Sequence, residues 1–202
     1  MLPAWQTFSA ILKKSNNMKN ILAGKKVAIV VADGFEESEF TAPLEALKEA
    51  NAEVEIISLK KGKVKAWSNK DWGKEYTVDK SIDEVAAQEY DALVLPGGVM
   101  NPDKLRMNQE VVNFVGGFFD DGKPIAAICH GPWTLIETGE LKGRTVTSYP
   151  SIKSDLINAG ANWVDQEVVV DNGLVTSRSP KDLPAFCEKM VEEIAEGIHS
   201  EG

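Results

Sequence analysis

The chain of 202 residues has few of the side chains that most often carry nucleophilic and metal chemistry, with only two cysteines and two histidines. Cys129 and Cys187 lie far apart, and neither belongs to a Cys-x-x-Cys pair. This pattern excludes a disulfide framework and a zinc site of familiar spacing, and the expected setting is a reducing, cytoplasmic one. We predict no metal and no cofactor, because the chain has no dinucleotide-binding glycine motif, no phosphate-binding loop and no cluster with metal-ligand spacing.

Positive charge is also scarce. The 22 lysines and arginines face 31 acidic residues, which gives a formal charge of −9 and a pI near 4.8. An acidic protein without a basic cluster is not expected to bind nucleic acid. No apolar run approaches the roughly 20 residues of a membrane span, so no membrane partner is expected either.

The first 24 residues differ from the rest because they contain lysines but no acidic residue. A transit peptide is one interpretation, but the segment has no arginine and its apolar stretches are short. A flexible or docking extension, or a true start at Met18, is favoured. We therefore divide the chain into an extension, 1–24, and a single α/β domain, 25–202.

From Lys25 onward, short runs rich in valine and isoleucine alternate with segments of helical spacing. Strands are predicted at 25–32, 53–59, 91–98, 123–129 and 144–149, and helices at 38–52, 81–90, 108–123, 131–141, 151–160 and 183–198. Hairpins are predicted within 60–79 and at 168–177, where Asp-Asn-Gly marks the turn. This alternation indicates a mostly parallel sheet covered on both faces, and ligands bind at the carboxyl ends of such strands.

One strand end carries a cysteine in the sequence Ala127-Ile128-Cys129-His130-Gly131, directly before Pro132. A strand, a tight turn and a helix start at one residue are the context of a nucleophile elbow. The helix dipole is expected to favour the thiolate of Cys129, and the backbone N–H of His130 is expected to serve as an oxyanion donor. Without this context, a buried cysteine that acts as a small hydrophobe would be the better interpretation.

His130 either curls over to reach the thiol, serves as base to a bound substrate, or merely forms a hydrogen bond near the helix start. The other histidine, His199, lies near the end of the chain and is expected to have no role. Cys187 falls within the pattern of the closing helix and is assigned to packing.

The first strand leads into an acidic loop that contains Glu36 and Glu37, at the same rim of the predicted sheet. A buried carboxyl beside a thiol has a raised pKa and can exchange a proton with sulfur, although most acidic loops are simply solvated. Gly97 and Gly98 follow another strand and allow a ligand to approach the backbone, with N–H groups that can complete an oxyanion site.

Three further residues are weaker candidates for substrate contacts. Trp133 is expected to form a wall of the pocket or to belong to the core. Tyr149 is expected to contact the substrate or a neighbouring subunit. Arg178 is expected to pair with a carboxylate of the site or with an anionic substrate.

These segments together resemble the ThiJ/PfpI family of intracellular cysteine proteases and general stress proteins. The resemblance covers 25–198 and rests on "GFEE", "DALVLPGG", "GKPIAAICHGPWTLI", "LKGRTVTSY" and the stretch from "IKSDLINAGA" to "LPAF". It implies a flavodoxin-like three-layer α/β/α sandwich, with Cys129 as nucleophile, His130 beside it and Glu36 as the glutamate that contacts the thiol. It also implies self-association as a dimer or hexamer, with Asp103 as the acid that a neighbouring subunit offers to His130.

The functional expectation is a cysteine-dependent hydrolase. Its substrate would be a peptide, or a small reactive carbonyl compound such as methylglyoxal together with its protein adducts. Members of the family are described both as peptidases and as glyoxalases or deglycases. The alternative is a redox-responsive stress protein in which Cys129 is oxidised and turnover has little importance.

Overall fold

A seven-stranded sheet organises the chain in a computed structural model that describes residues 20–199. Its strand order is β10-β11-β7-β6-β1-β2-β5, and only β10 runs antiparallel to its neighbour. The strands are β1 Lys26–Val30, β2 Glu53–Ser58, β3 Gly62–Ser68, β4 Asp71–Val78, β5 Lys80–Ser81, β6 Ala92–Leu95, β7 Ile125–Ile128, β8 Thr145–Val146, β9 Asn162–Trp163, β10 Val168–Asp171 and β11 Leu174–Ser177. The predicted α/β class with a mostly parallel sheet is confirmed.

Helices cover both faces of this sheet. They are α1 Glu37–Glu49, α2 Met100–Arg106, α3 Gln109–Asp120, α4 Pro132–Ile136, α5 Lys153–Asn158 and α6 Leu183–Glu196. One apolar cluster joins the sheet to α2, α3, α4 and α5, and a second joins it to α1, α6 and the β3–β4 hairpin. Successive residues of β1 alternate between the two clusters, as expected for a strand buried on both faces. None of the helices within 20–199 is long and apolar enough to cross a bilayer.

Three predicted elements are shorter than the sequence suggests. The region 81–90 forms two turns of 3₁₀-helix, and the helix after the elbow stops at Ile136, shortly before Gly139 adopts a φ of 81°. The predicted strand 144–149 pairs only at Thr145 and Val146. Beyond these two residues, the N–H of Thr147 donates to the side chain of Thr176 and the N–H of Tyr149 donates to the carbonyl of Cys129. Residues 147–149 therefore bind to Thr176 and to the turn at Cys129, and they do not continue the pairing with β9.

The last residues of the predicted extension, 20–24, lie within the described part of the chain. Leu22 is fully buried in the cluster beneath α1, and its N–H donates to the carbonyl of Ala50 at 3.0 Å. The rest of the predicted extension, 1–19, lies outside the described residues.

Candidate active site

The carboxyl ends of the adjacent strands β7, β6 and β1 meet at one edge of the sheet, and a cleft of about 460 Å³ opens there. In the sheet, β2 lies on one side of β1 and β6 lies on the other, so the strand order reverses at β1. Such a reversal of strand order leaves a crevice at the strand ends. The lining residues are Gly34, Glu36, Glu39, Trp67, Gly98, Val99, Met100, Cys129, His130, Tyr149 and Pro180.

Cys129 occupies the turn between β7 and α4 with a φ of 63°, a conformation that costs a non-glycine residue about 1–2 kcal/mol. Its N–H donates to the carbonyl of Ser177 at 3.0 Å, and its carbonyl accepts from Tyr149 at 2.9 Å. A Cβ at Gly131 would overlap the carbonyl of Leu95, so only glycine fits there. The predicted nucleophile elbow is confirmed as geometry.

His130 reaches back over the turn, as one of the predicted alternatives required. Its Nδ1 lies 3.2 Å from the sulfur of Cys129, and its Nε2 lies 2.9 Å from the hydroxyl of Ser151. Burial lowers the pKa of His130, which keeps the ring neutral near pH 7. In the tautomer that donates from Nε2 to Ser151, the lone pair of Nδ1 faces the thiol.

The carboxyl beside the sulfur belongs to Glu39, which corrects the prediction for Glu36. Glu39 lies in the first turn of α1, is completely buried and interacts with the thiol of Cys129. Its Oε2 accepts the N–H of Gly97 at 3.0 Å, whereas no hydrogen bond to its Oε1 is formed by N–H or O–H groups of residues 20–199. Glu36 lines the cleft instead and accepts a hydrogen bond from Ser38.

Burial raises the pKa of Glu39 to about 8, and the interactions with Cys129 and the backbone only partly oppose this rise. Burial, followed by the charge of Glu39, also raises the pKa of the Cys129 thiol. The N–H groups of Gly98 and His130 act in the opposite direction and favour the thiolate. The expected stabilisation by a helix dipole is small, because α4 has only five residues.

The remaining predicted site residues divide into those that reach the cleft and those that do not. Gly98, with a φ of 78°, directs its N–H toward the sulfur. Tyr149 stacks on His130 with the ring centroids 4.8 Å apart. Gly97 is not a free oxyanion donor, since its N–H is bound to Glu39, and its missing Cβ makes room for Glu39 and Cys129.

Trp133 and Arg178 are held elsewhere. The indole N–H of Trp133 donates to Asp155 at 2.8 Å, and neither residue lines the cleft. Arg178 forms a two-point contact with Asp182, at 3.0 and 2.9 Å, and a third contact with Asp165. Trp133 therefore takes the second of its predicted alternatives and packs against the core, whereas Arg178 pairs with acids outside the cleft.

Asp103 lies exposed on α2 and is not among the residues that line the cleft of its own chain. The acid that the sequence analysis assigned to a neighbouring subunit thus has no contact with His130 within one chain. The hydrogen-bond partner of Nε2 inside the chain is Ser151.

Glu39, Ser151 and Trp67 were missed by the sequence analysis. A signal existed for Glu39, because it precedes the buried residues Pro43 and Leu47 at intervals of four. An acidic residue on the apolar face of a helix is rarely buried without a function. Ser151 and Trp67 had no comparable signal, since long-range folding alone brings Ser151 to Nε2 of His130 and Trp67 to the cleft.

A second group of ionisable side chains lies at the opposite edge of the sheet, where α6 ends. Glu193, Glu196 and His199 approach one another there, with 3.2 Å between Nε2 of His199 and a carboxylate oxygen of Glu193. The N–H of His199 donates to the carbonyl of Gly122, just before β7. His199 thus joins the segment after α6 to the residue that precedes β7, although the sequence analysis gave it no role.

The chain is similar in sequence and in fold to known proteins. A profile described as the DJ-1/PfpI family matches residues 25–193. General stress protein 18 of Bacillus subtilis is 49% identical over 81% of this chain and 94% of its own length. Protein/nucleic acid deglycase 2 of Escherichia coli is 48% identical over 80% and 93%. The crystal structure of Drosophila melanogaster DJ-1beta has a TM-score of 0.77 and 34% identity, covering 85% of this chain and 90% of that one.

Proposed function

The chain belongs to the DJ-1/PfpI family, and from that premise we propose that it is a cysteine-dependent enzyme acting on carbonyl carbon. Its preferred substrates would be small reactive aldehydes and the adducts that they form with proteins. One observation supports the proposal above all others, namely the environment of the Cys129 sulfur. The N–H groups of Gly98 and His130, Nδ1 of His130 and the carboxyl of Glu39 all surround it. A deglycase name among the relatives agrees with this choice.

The first step is addition of sulfur to the substrate. The S–H bond breaks and its proton passes to Nδ1 of His130, while a C–S bond forms and the electron pair of the C=O bond moves onto oxygen. The oxygen then takes a proton from Glu39, which gives a hemithioacetal from an aldehyde. In an adduct, sulfur replaces nitrogen at the carbinol carbon, so the C–N bond breaks and nitrogen takes the proton. The N–H groups of Gly98 and His130 would stabilise the negative charge while it passes from sulfur to oxygen.

Glu39 is the proposed proton donor of this step. Because Oε2 accepts the N–H of Gly97, we assign the proton of the neutral acid to Oε1. His130 is the proposed proton carrier of the later steps. For an α-oxoaldehyde, a hydrogen moves from the carbinol carbon to the adjacent carbonyl carbon, and water then releases the 2-hydroxy acid and the thiol.

The size of the cleft favours small substrates over long peptides. A volume of about 460 Å³ falls in the range of pockets that hold small molecules. An unfolded peptide would need an extended groove along several residues. We therefore rank carbonyl adducts above peptide bonds as substrates.

The test is turnover of methylglyoxal to lactate by the wild-type protein, Cys129→Ala and Cys187→Ala. We expect Cys129→Ala to lose at least about 10³-fold in kcat/KM, while Cys187→Ala stays within twofold. Cys187 is a matched control because it is the other free cysteine and lies on α6. Full activity in Cys129→Ala would contradict the proposed chemistry.

A redox role is the second candidate, and the same donors support it. The N–H groups of Gly98 and His130, together with a proton on Glu39, would stabilise a sulfinate formed when two equivalents of peroxide each deliver one oxygen to sulfur. The name of the stress-protein relative agrees with this alternative. This alternative predicts that dilute peroxide adds two oxygens to Cys129 but none to Cys187. It also predicts that the protein does not turn over aldehydes.

We also propose that the chain self-associates and that a neighbouring copy brings Asp103 to His130. Val99 and Met107, at the two ends of α2, are 56% and 79% exposed, an unusual degree for large apolar side chains. Sedimentation of the wild-type protein should show a dimer or hexamer. If Asp103→Asn changes the pH dependence of turnover only in the assembled form, the contact exists; a monomer at all concentrations would exclude it.

A further inference from the structure

Asn101 is a polar side chain that joins three elements of the fold next to the cleft. It lies in the first turn of α2 and is completely buried. Its Oδ1 accepts the N–H of Ala32 at 2.7 Å, and its Nδ2 donates to the carbonyls of Pro96 and Gly97 at 2.8 and 3.1 Å. One amide thus connects the residues that follow β1 and β6 to α2.

The orientation of this amide follows from its partners. The N–H of Ala32 requires an acceptor, whereas the carbonyls of Pro96 and Gly97 require donors, so Oδ1 must face Ala32. The N–H of Glu36 also donates to the carbonyl of Gly97, at 3.3 Å. Asn101 forms the shorter of these two contacts and binds the preceding carbonyl as well.

The two carbonyls belong to the peptide units whose N–H groups face the reacting residues. Pro96 and Gly97 share one trans peptide, and Gly97 and Gly98 share the next. The C=O and N–H bonds of a planar trans peptide point in opposite directions, so a donor that holds the carbonyl also fixes the direction of the N–H. The N–H of Gly97 donates to Glu39 at 3.0 Å, and the N–H of Gly98 is directed toward the sulfur of Cys129.

The two glycines cannot fix these directions by themselves. A Cβ at Gly97 would lie 2.6 Å from Cβ of Cys129, and a Cβ at Gly98 would lie 2.5 Å from the carbonyl oxygen of Gly34, so close packing requires glycine at both positions. Glycine has the greatest backbone freedom of all residues. The direction of the two N–H groups must therefore come from contacts to their peptides, and Asn101 supplies such a contact to each.

We propose that Asn101 is a positioning residue that aims the N–H of Gly98 at the nucleophilic sulfur and the N–H of Gly97 at Glu39, by holding the carbonyls of their peptides. The proposal rests on the proposed function for the role of the sulfur as nucleophile. A donor at the carbonyl also polarises the peptide and strengthens its N–H as a donor. Asn101 is not among the residues that line the cleft, so it acts through the two glycines.

The test measures alkylation of Cys129 and Cys187 by iodoacetamide at pH 7 in one sample, so it does not depend on turnover. The proteins compared are the wild type, Asn101→Ala and Asn108→Ala. Asn108 is the matched control, because its side chain also binds backbone groups, at the start of α3, and because it lies outside the cleft.

We expect Asn101→Ala to slow the alkylation of Cys129 about tenfold, because the thiolate loses a well-aligned donor. The reaction of Cys187 in this variant, and both reactions in Asn108→Ala, should stay within about twofold of the wild type. A purely structural role predicts the opposite sign, since local opening exposes both thiols and speeds both reactions. An unchanged or faster reaction of Cys129 in folded Asn101→Ala, or equal slowing in Asn108→Ala, would overturn the proposal.

If Asn101→Ala does not fold, the wild-type protein supplies the answer. The side-chain amide protons of Asn101 should exchange with deuterium at least about 100-fold more slowly than those of the exposed Asn51, because they are buried and bound to carbonyls. Equal exchange rates would show that the two carbonyls are not held and would contradict the proposal. Failure of the proposed function would appear separately, as turnover of methylglyoxal that survives Cys129→Ala.

Discussion

The two cysteines of this chain differ in the chemical groups that surround their sulfur atoms. Cys187 lies within α6 and packs against the apolar cluster, and burial alone raises its pKa to about 11. Cys129 is buried more deeply than the half-buried Cys187, yet it meets two N–H donors, an imidazole and a carboxyl. Burial therefore cannot distinguish a structural from a reactive cysteine. The distinction depends on whether the fold supplies groups that accept the proton of the thiol and stabilise its charge.

The largest expected effect is on stability, and it concerns Glu39, the group that Cys187 lacks. Folded Glu39 keeps its proton up to about pH 8, whereas the unfolded chain releases it near 4.5. Between these values the folded state holds the extra proton, so the free energy of unfolding falls as the pH rises, by on the order of 5 kcal/mol. In Glu39→Gln this fall should disappear. Urea unfolding at pH 5 and pH 8 measures it, with Glu45→Gln as the exposed control.

The second prediction concerns turnover in the same variant. Glutamine keeps the shape of Glu39 and can still accept the N–H of Gly97, but it cannot give a proton to the substrate. We expect Glu39→Gln to lose about 100-fold in kcat for methylglyoxal, the usual size of a lost general acid. A variant with wild-type kcat would show that Glu39 merely fills space.

The third prediction contrasts the crowded elbow with an open glycine on α3. In Gly97→Ala, the new Cβ would lie 2.6 Å from Cβ of Cys129 and 2.8 Å from the carbonyl oxygen of Ile128, so we expect a loss of about 2 kcal/mol in stability. In Gly116→Ala nothing lies within 4 Å of the new Cβ, and the helix should gain about 0.5–1 kcal/mol. Denaturant midpoints compare the two; equal effects would mean that the elbow is less tightly packed than described.

The smallest expected effect is that of Ser151. Its hydroxyl contacts Nε2 of His130 at 2.9 Å but is exposed, so Ser151→Ala should reduce kcat/KM by only about three- to tenfold. Ser154→Ala, on α5 and outside the cleft, should have no effect. The pH profile of turnover is the diagnostic measurement, because Ser151 contacts the ring of His130 and a change in the pKa of that ring would move the profile. An unaltered profile in Ser151→Ala would show that the serine does not orient the ring.

The difference between the two cysteine regions also explains how far the sequence could be interpreted. The elbow could be predicted because a strand, a turn and a helix start are local features, and the strands around it show continuous apolar runs. Glu39 reaches Cys129 from a helix 90 positions earlier, and no short motif encodes that contact. Glu36 was assigned to the sulfur because the family resemblance pointed to it and because it lies in a loop at a strand end. However, α1 begins at Glu37, and its first turn carries Glu39 down to the sulfur while Glu36 stays at the rim of the cleft.

Arg178 was misassigned, and Trp133 was left with two alternatives, for a related reason. Both lie close in sequence to the strand ends, but their polar groups find partners within the fold, in Asp182, Asp165 and Asp155. Side-chain direction after a strand end depends on such partners, which the sequence alone does not reveal.

The most direct test of the account is the pH dependence of alkylation of the two cysteines by iodoacetamide, followed by mass spectrometry of both sites in one sample. Cys129 and Glu39 titrate as a coupled pair, and the charge of an ionised Glu39 raises the pKa of the thiol further. We predict that Cys129 is alkylated about tenfold faster than Cys187 at pH 7, because N–H donors and an imidazole surround its sulfur. Glu39→Gln should not slow this reaction, since it removes the charge that raises the pKa of the thiol, and alkylation of Cys187 should rise only toward pH 11. If Cys129 follows the same profile as Cys187 in the wild-type protein, the elbow does not activate its thiol and the central claim is wrong.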